Sequence, residues 1–264
     1  MSARRTVPPN RAPWRWAVAG VVLGLLAGVP AFAPAQWLAQ GIGQASAGQV
    51  VLQDSRGSLW SGSARLTLSG GPGSPAAATL PGRLNWQLRP TLGGVELQLQ
   101  SDCCLQKAWV WRLSPHWGGW QLQLSDSQSR WPAGLLVGLG TPWNTLEPQG
   151  QLALNTRALD LRWSEGRLQL SGSAQLDVQD LSSRLSTLRP LGSYRLAVRG
   201  EATPRLLLST LKGSLKLSGE GQWVGNRLRF VGEAGAAPAD LSALSNLLNI
   251  IGRREGARSI IKVG

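Results

Sequence analysis

The chain has 264 residues, enough for one large domain or two small ones, and carries a formal net charge of +13. Only 16% of its residues are charged, and the arginines are mostly scattered singly. Because neither a recognition-helix pattern nor an RNP-like aromatic motif accompanies this charge, we expect no nucleic-acid partner.

The N-terminal region is basic and then apolar. Residues 1–15 contain four arginines and no acid, and residues 16–33 contain no charge. As a helix, this 18-residue run is about 27 Å long, close to the thickness of a bilayer core. The pattern predicts a cytoplasmic basic segment at 1–15, a transmembrane anchor at 16–33 and a linker at 34–48, with the remainder outside the cytoplasm.

A cleaved signal peptide is the competing interpretation of the same run. Ala33-Pro34-Ala35 offers an A-x-A cleavage site, and Pro30 could end the apolar segment. The run is longer than a typical signal core, which favours the uncleaved anchor. Under both interpretations the rest of the chain is exported from the cytoplasm.

Residues 49–264 alternate between apolar and polar side chains. This period of two predicts a mainly β domain with one apolar and one wet sheet face, as in antiparallel sheets. Glycines in three similar Ser-Gly entries predict bulges or bends that let a sheet curl. The clearest apolar positions are Leu84, Trp86, Leu88, Val95, Leu97, Leu99, Trp109, Trp111, Leu113, Trp120, Leu122, Leu124, Leu159, Leu161, Trp163, Leu168 and Leu170, and the three entries are Ser61–Leu66, Ser171–Leu176 and Ser218–Trp223.

A one-faced sheet of this size must cover its apolar side. We therefore expect a large curled antiparallel sheet, and the pattern leaves a trough, a sandwich and a partly open barrel as alternatives. Two stretches break the alternation: a compact turn or short helix at Trp131–Gly140, and a helix near residues 239–251. The second has five apolar residues at helical spacing and could plug one end of the sheet before a last strand at 257–264.

The sequence offers no catalytic constellation. Its 14 acidic residues are scattered, His116 is the single histidine, and no nucleophile elbow, Walker loop or metalloprotease helix is present. We expect a non-enzymatic protein with no catalytic residues, no cofactor and no metal site. Cys103 and Cys104 are adjacent, and neighbouring strand residues point to opposite faces, so separate partners or free thiols would be easier than the alternative, a vicinal disulfide.

Three stretches taken in order carry a resemblance to a known family: "GSLWSGSA" at Gly57–Ala64, "LNWQLRP" at Leu84–Pro90 and "NLLNIIGRREG" at Asn246–Gly256. Together with the apolar N-terminal run and the β-rich body, they make the chain similar to type II secretion system protein N. The resemblance implies an accessory, single-pass inner-membrane component whose bulk lies in the periplasm, acting through protein–protein contacts in the export of folded proteins across the outer membrane of Gram-negative bacteria. Other components of that machinery are the implied partners, and the membrane is contacted by the N-terminal helix.

The C-terminal stretch suggests a site. We expect Leu247, Leu248, Ile250 and Ile251 to pack the end of the sheet, which leaves Arg253 and Arg254 for a partner or for phospholipid headgroups. The plainer alternative is that these arginines only complement the helix dipole. A rival function is an AsmA-like periplasmic protein that binds or bridges lipid along the apolar face, and a third is a structural spacer.

Overall fold

The computed structural model describes residues 14–164, 166–200, 204–224 and 227–264. Most of the basic segment expected at 1–15 lies outside the described residues. The helices are α1 Trp14–Ala31, α2 Ala35–Ala45, α3 Trp143–Leu146 and α4 Leu241–Ile251, with 3₁₀ helices at Ala133–Leu139 and Pro238–Asp240. The strands are β1 Val50–Gly57, β2 Ser61–Ser69, β3 Ala77–Thr79, β4 Leu84–Thr91, β5 Gly94–Ser101, β6 Trp109–His116, β7 Gly119–Leu124, β8 Ser127–Pro132, β9 Gln149–Ser164, β10 Arg167–Ser182, β11 Gly192–Arg199, β12 Arg205–Gly213, β13 Leu215–Val224, β14 Arg227–Ala236, β15 Arg253–Glu255 and β16 Arg258–Val263.

In the described part of the chain these sixteen strands form one antiparallel sheet, which confirms the predicted class. The order is β1-β2-β4-β5-β6-β7-β9-β10-β11-β12-β13-β14-β16-β15, with β3 added beside β2 and β8 beside β9. The sheet is open, since it begins at β1 and ends at β15. All strands of the described residues are thus hydrogen-bonded into one large open sheet.

The register keeps the predicted alternation across the sheet. Apolar residues face apolar residues, as in Leu88 with Leu97 and Leu122 with Leu161. Polar residues pair on the other face, as Gln87 does with Gln98. Cross-strand pairs of matched polarity are what holds one face dry, because a slip of one residue would move every apolar side chain to the wet side.

Helix α2 covers the apolar face at the β1 end of the sheet. Ala35 is buried, and Leu38, Ala39 and Ile42 pack with it against a buried cluster that contains Trp86. Residues 34–48 were expected to be a linker, and the helix in this segment corrects that expectation. The signal was present, because these four residues recur at i, i+3, i+4 and i+7, the spacing of one helix face.

Helix α4 covers the opposite end, as predicted. Leu244, Leu247 and Leu248 are almost completely buried against the sheet, and Ile251 packs beside them. Ile250, expected to join this packing, is 43% exposed because it falls off the buried face of the helix. The short apolar segment expected at Trp131–Gly140 contains the 3₁₀ helix Ala133–Leu139, whose Leu135 packs with residues of β2, β3 and β8.

Glycines of the Ser-Gly entries serve the sheet in two ways. Gly172 has φ +82° and lies at a register shift between β10 and β9, which is the predicted bulge. Gly62 and Gly219 instead leave room for aromatic rings, since a Cβ at these positions would press against Trp86 and Phe230, respectively.

Candidate functional site: the open shelf

One part of the apolar face is left uncovered, between the regions under α2 and α4. We call it the open shelf; it consists of two rows of paired residues on β6, β7, β9 and β10. The rows are Leu113, Leu122, Leu161 and Leu170, and Trp120, Trp163 and Leu168. Within the described ranges, none of these side chains belongs to the buried clusters beneath the helices.

Three of the seven shelf residues are exposed, and the other four are half-buried. Trp120 is 57% exposed, Trp163 47% and Leu113 42%, whereas Trp86 under α2 is 2% exposed. Trp86 clusters with Ala35 of α2 and lies against Gly62, whereas Trp120 and Trp163 lie near the ends of their strands and belong to none of the buried clusters. Contiguous exposed apolar residues of this kind are typical of interaction surfaces.

The reverse side of the same strands is firmly polar. Asp160 accepts hydrogen bonds from Gln121 Nε2 at 2.7 Å and Gln123 Nε2 at 3.2 Å. Its other carboxylate oxygen lies 3.5 Å from Arg162 Nε. This network fixes which face of the β7–β9 pair meets water, and it therefore fixes the tryptophan face as well.

A close backbone approach holds the shelf together at its outer end. Gly119 pairs with Ser164, and a Cβ at Gly119 would overlap the carbonyl oxygen of Trp163. Glycine at 119 therefore lets β7 reach β9 at the point where Trp120 and Trp163 lie side by side.

Two further tryptophans adjoin the shelf on β6. The rings of Trp109 and Trp111 meet edge to face, with centroids 5.0 Å apart. Trp109 Nε1 donates to Ser125 O at 3.2 Å, while the buried Trp111 Nε1 has no acceptor among the described residues. Such an unpaired N–H lowers stability, so the position of Trp111 is set by its ring and not by its polar atom.

The arginines expected at the C-terminal site lie on β15, at the edge of the sheet. Arg254 Nε donates to Gly256 O at 2.6 Å, and its Nη1 donates to Ser245 O of α4 at 3.4 Å. Arg253 forms an ion pair with Glu255, and its side chain is 79% exposed. Arg254 thus ties the edge strand to the helix, and Arg253 is the better placed of the two to meet another molecule.

Cys103 and Cys104 are joined by a disulfide. The alternation argument against a vicinal bond applies to strands, and these residues lie in a turn between β5 and β6. Cys104 is buried beside Leu80 and Leu135, and Cys103 Sγ lies 3.3 Å from Ser101 Oγ. Across the described residues there is no group of three or more His, Cys, Asp or Glu that could hold a metal ion.

Helix α1 is apolar except for Arg15 at its start. Of the described helices it alone is long and apolar enough to cross a membrane, and its window of 18 residues is 0% buried. A signal sequence meets the same criterion of length and composition, so both sequence interpretations of this run stand.

Comparison with known proteins places the β-rich body in a family. A family model described as type II secretion system (T2SS), protein N, matches residues 48–261. The match spans helix α4 and the whole sheet except the last two residues of β16. No curated protein and no solved structure matches the chain.

Proposed function

Since this chain belongs to the type II secretion system protein N family, and so has a role in type II secretion, we propose that it is a non-enzymatic accessory component of that machinery. In this proposal it acts by protein–protein contacts during the export of folded proteins across the outer membrane. The family match over residues 48–261 is the observation that carries the proposal.

We propose further that α1 remains as a single inner-membrane anchor and holds the β-rich body in the periplasm. The exposure of α1 supports this, because its 18-residue window is 0% buried and an apolar helix without protein cover needs another apolar solvent. The arginines that precede it favour a cytoplasmic N-terminus. Resistance of the chain to alkaline extraction from membranes, together with protease access to its body only after the outer membrane is opened, is the expected result.

The test of function is a deletion strain complemented with shelf variants. Deletion is expected to reduce release of secreted proteins, and Leu113→Gln with Trp163→Gln is expected to leave the defect uncorrected at a normal protein level. Val231→Gln is the matched control, since Val231 is 60% exposed on the other face of the sheet. Undiminished secretion in the deletion strain would contradict the accessory role.

Partners are tested by crosslinking from single positions. A photoreactive residue at Leu113 is expected to capture other components of the secretion machinery, whereas one at Val231 is not. If neither position captures a secretion component but deletion still abolishes secretion, the open shelf is not the contact surface, and only the role implied by the family remains.

Arg253 is a second position for partner contact. Because Arg254 bonds to two main-chain carbonyls, a change there would disturb the fold, whereas among the described residues Arg253 bonds to Glu255 alone. Arg253→Gln is therefore the informative variant, and Arg254→Gln is its structural control. Full secretion by Arg253→Gln at a normal protein level would eliminate the docking role.

The open shelf also favours a second candidate, lipid binding along the apolar face in the manner of AsmA-like proteins. Two rows of leucine and tryptophan on four adjacent strands offer a surface that acyl chains can cover. The full chain is released from nanodiscs and its bound lipid is measured by native mass spectrometry. The parent protein is expected to retain lipid that the Trp163→Gln variant loses. Equal lipid on both proteins would count against this candidate.

A further inference from the structure

Two neighbouring hairpins carry a bare apolar side chain at their tips. The β4–β5 turn consists of Leu92 and Gly93, and the β6–β7 turn of Trp117 and Gly118. Leu92 is 113% exposed and Trp117 94%, so neither contributes to the core. Because β5 pairs with β6, the two tips are neighbours, about 10 Å apart across the sheet at the usual strand spacing, and Trp117 reaches two residues, or about 7 Å, further along the strands.

Both tips lie at the end of the sheet where α1 is attached. The carbonyl oxygen of Pro30, in the last turn of α1, accepts a hydrogen bond from Trp60 Nε1 at 2.7 Å. Ala33 O accepts one from Leu59 N at 2.8 Å, and Pro34 forms a β-bridge with Ser58. The β1–β2 turn thus holds the exit of α1 in a fixed place, next to the strand that leads to Leu92.

The register gives the reach of the tips beyond this joint. Leu88 N donates to Trp60 O at 2.7 Å, and Leu97 pairs with both Leu88 and Trp111, so these residues lie level with the joint. Leu92 lies four residues past Leu88, about 13 Å along the strand. Trp117 lies six residues past Trp111, about 20 Å along its strand.

The side chains at this end suit a bilayer surface. Tryptophan concentrates at the boundary between headgroups and acyl chains, where its ring is apolar and its N–H stays wet. Trp120, three residues beyond Trp117, pairs with Trp163 on the apolar face, and Phe32 beside the joint is 86% exposed. Single apolar side chains on hairpin turns, such as Leu92 and Trp117, can enter the fluid headgroup region of a bilayer. A protein interface is usually built from a larger, continuous surface patch.

The geometry points to a second membrane contact: Leu92 and Trp117 insert into the headgroup region of the bilayer that holds α1. Because the tips lie past the joint, this contact requires strands that are inclined at a low angle to the membrane plane, so that both tips stay at headgroup depth. This inference rests on the proposed anchoring by α1. It gives the body a defined orientation over the membrane, with the open shelf beginning at the surface. The turn between β15 and β16 lies at the opposite end of the strands, which makes a protein partner, and not a headgroup, the better ligand for Arg253.

The experiment uses the full chain in vesicles of phosphatidylethanolamine and phosphatidylglycerol. Leu92→Cys, which keeps Trp117, is labelled with an environment-sensitive fluorophore, and Ala257→Cys in the exposed β15–β16 turn carries the same label as the control. Cys103 and Cys104 are already joined, so the added thiol is the one that reacts. The fluorescence is compared between vesicles with and without a lipid that bears a nitroxide near its headgroup. Quenching by the nitroxide reports how close each labelled residue lies to the headgroup region.

Quenching at residue 92 is expected to exceed that at 257 severalfold, and Trp117→Ser is expected to reduce it. Equal quenching at 92 and 257, in a chain that resists alkaline extraction, would overturn the membrane contact alone. A chain removed by alkaline extraction would overturn the anchor and this inference together. Leu92→Cys and Trp117→Ser change side chains at exposed hairpin tips, so folding is expected to be unchanged. Secretion assays test the proposed function separately.

Discussion

Arg195 on β11 holds the carboxylate of Asp177 on β10 through two parallel hydrogen bonds. Arg195 Nε lies 2.7 Å from Asp177 Oδ1, and Arg195 Nη2 lies 2.9 Å from Oδ2. Gln175 Nε2 adds a third bond to Oδ2 at 3.0 Å. The two residues are direct cross-strand partners, so this pair fixes the register of β10 against β11 from the wet face of the sheet.

The first prediction concerns pH. The hydrogen bonds from Arg195, with its charge and the Gln175 amide, hold the pKa of Asp177 below its ordinary value. A lowered folded-state pKa stabilises the protein above the ordinary carboxyl pKa of about 3.9 and loses that contribution as pH falls through the folded value. Asp177→Asn is therefore expected to lower the free energy of unfolding by about 1 kcal/mol at pH 7, after allowance for solvent screening, and by less in acid.

Denaturant unfolding at several pH values measures the difference. Asp54→Asn is the matched control, because Asp54 and Arg65 are 3.4 Å apart and more than half exposed. A constant difference between Asp177→Asn and the parent across the acid range would contradict the assignment.

Tyr194 gives the second prediction. Its hydroxyl donates to Leu215 O at 3.1 Å, and burial raises the pKa of Tyr194. Because unfolding exposes a phenol that ionises near its ordinary pKa of about 10, stability is expected to fall as pH rises above that value. The chain has one tyrosine, so tyrosinate absorbance reports this residue alone and is expected to appear only with unfolding. Ionisation of the folded protein near the ordinary pKa would refute the prediction.

The third prediction compares the two tryptophans of β6. Trp109→Phe removes the hydrogen bond to Ser125 O and leaves a cavity at a residue 8% exposed, so it is expected to cost about 2–3 kcal/mol. Trp111→Phe removes an N–H that has no described acceptor and is expected to cost less than about 1 kcal/mol. Thermal unfolding of the two variants side by side is the measurement, and equal losses would mean that Trp111 has an acceptor.

The fourth prediction concerns α4 as the cover of the sheet. Leu248 is 0% exposed, and Leu248→Ala is expected to cost about 2–5 kcal/mol. Ile250→Ala, on the same helix but 43% exposed, is expected to change stability by less than about 1 kcal/mol. Similar losses in both variants would show that Ile250 also packs against the sheet in solution.

The fifth prediction tests the close approach under the shelf. Gly119→Ala is expected to break the pairing of β7 with β9, because the added methyl would overlap Trp163 O. Gly93→Ala in the neighbouring hairpin meets nothing within 4 Å and is expected to be neutral. Hydrogen exchange of the β7 amides is the measurement, and unchanged protection in Gly119→Ala would be the contrary result.

Sequence reasoning predicted the strands and helix α4 well, but it did not predict which parts of the apolar sheet face are covered by helices. Alternation at Leu84–Leu88 and elsewhere predicted the strands, and helical spacing predicted α4, because both periods follow from local backbone geometry. Helix α2 was missed since Gly41 and Gly43 weaken its pattern. The turn at Cys103 and Cys104 was missed for a different reason, because the alternation rule for strands was applied to residues that lie in a turn.

The candidate shelf could not be predicted. Trp86 and Trp163 both lie on the apolar face of alternating strands, yet one is 2% exposed and the other 47%. Trp86 is covered by α2 and by the chain around Leu59 and Gly62, and such contacts between distant segments have no local signature.

The sequence by itself determined that this chain would be a one-faced antiparallel sheet behind an apolar N-terminal segment, because side-chain period and hydropathy are written residue by residue. Only the tertiary structure decided that the sheet stays open, which tryptophans remain bare, and that Leu92 and Trp117 share an end with α1. Those properties depend on strand order and on contacts between residues distant in the chain, which no local pattern encodes.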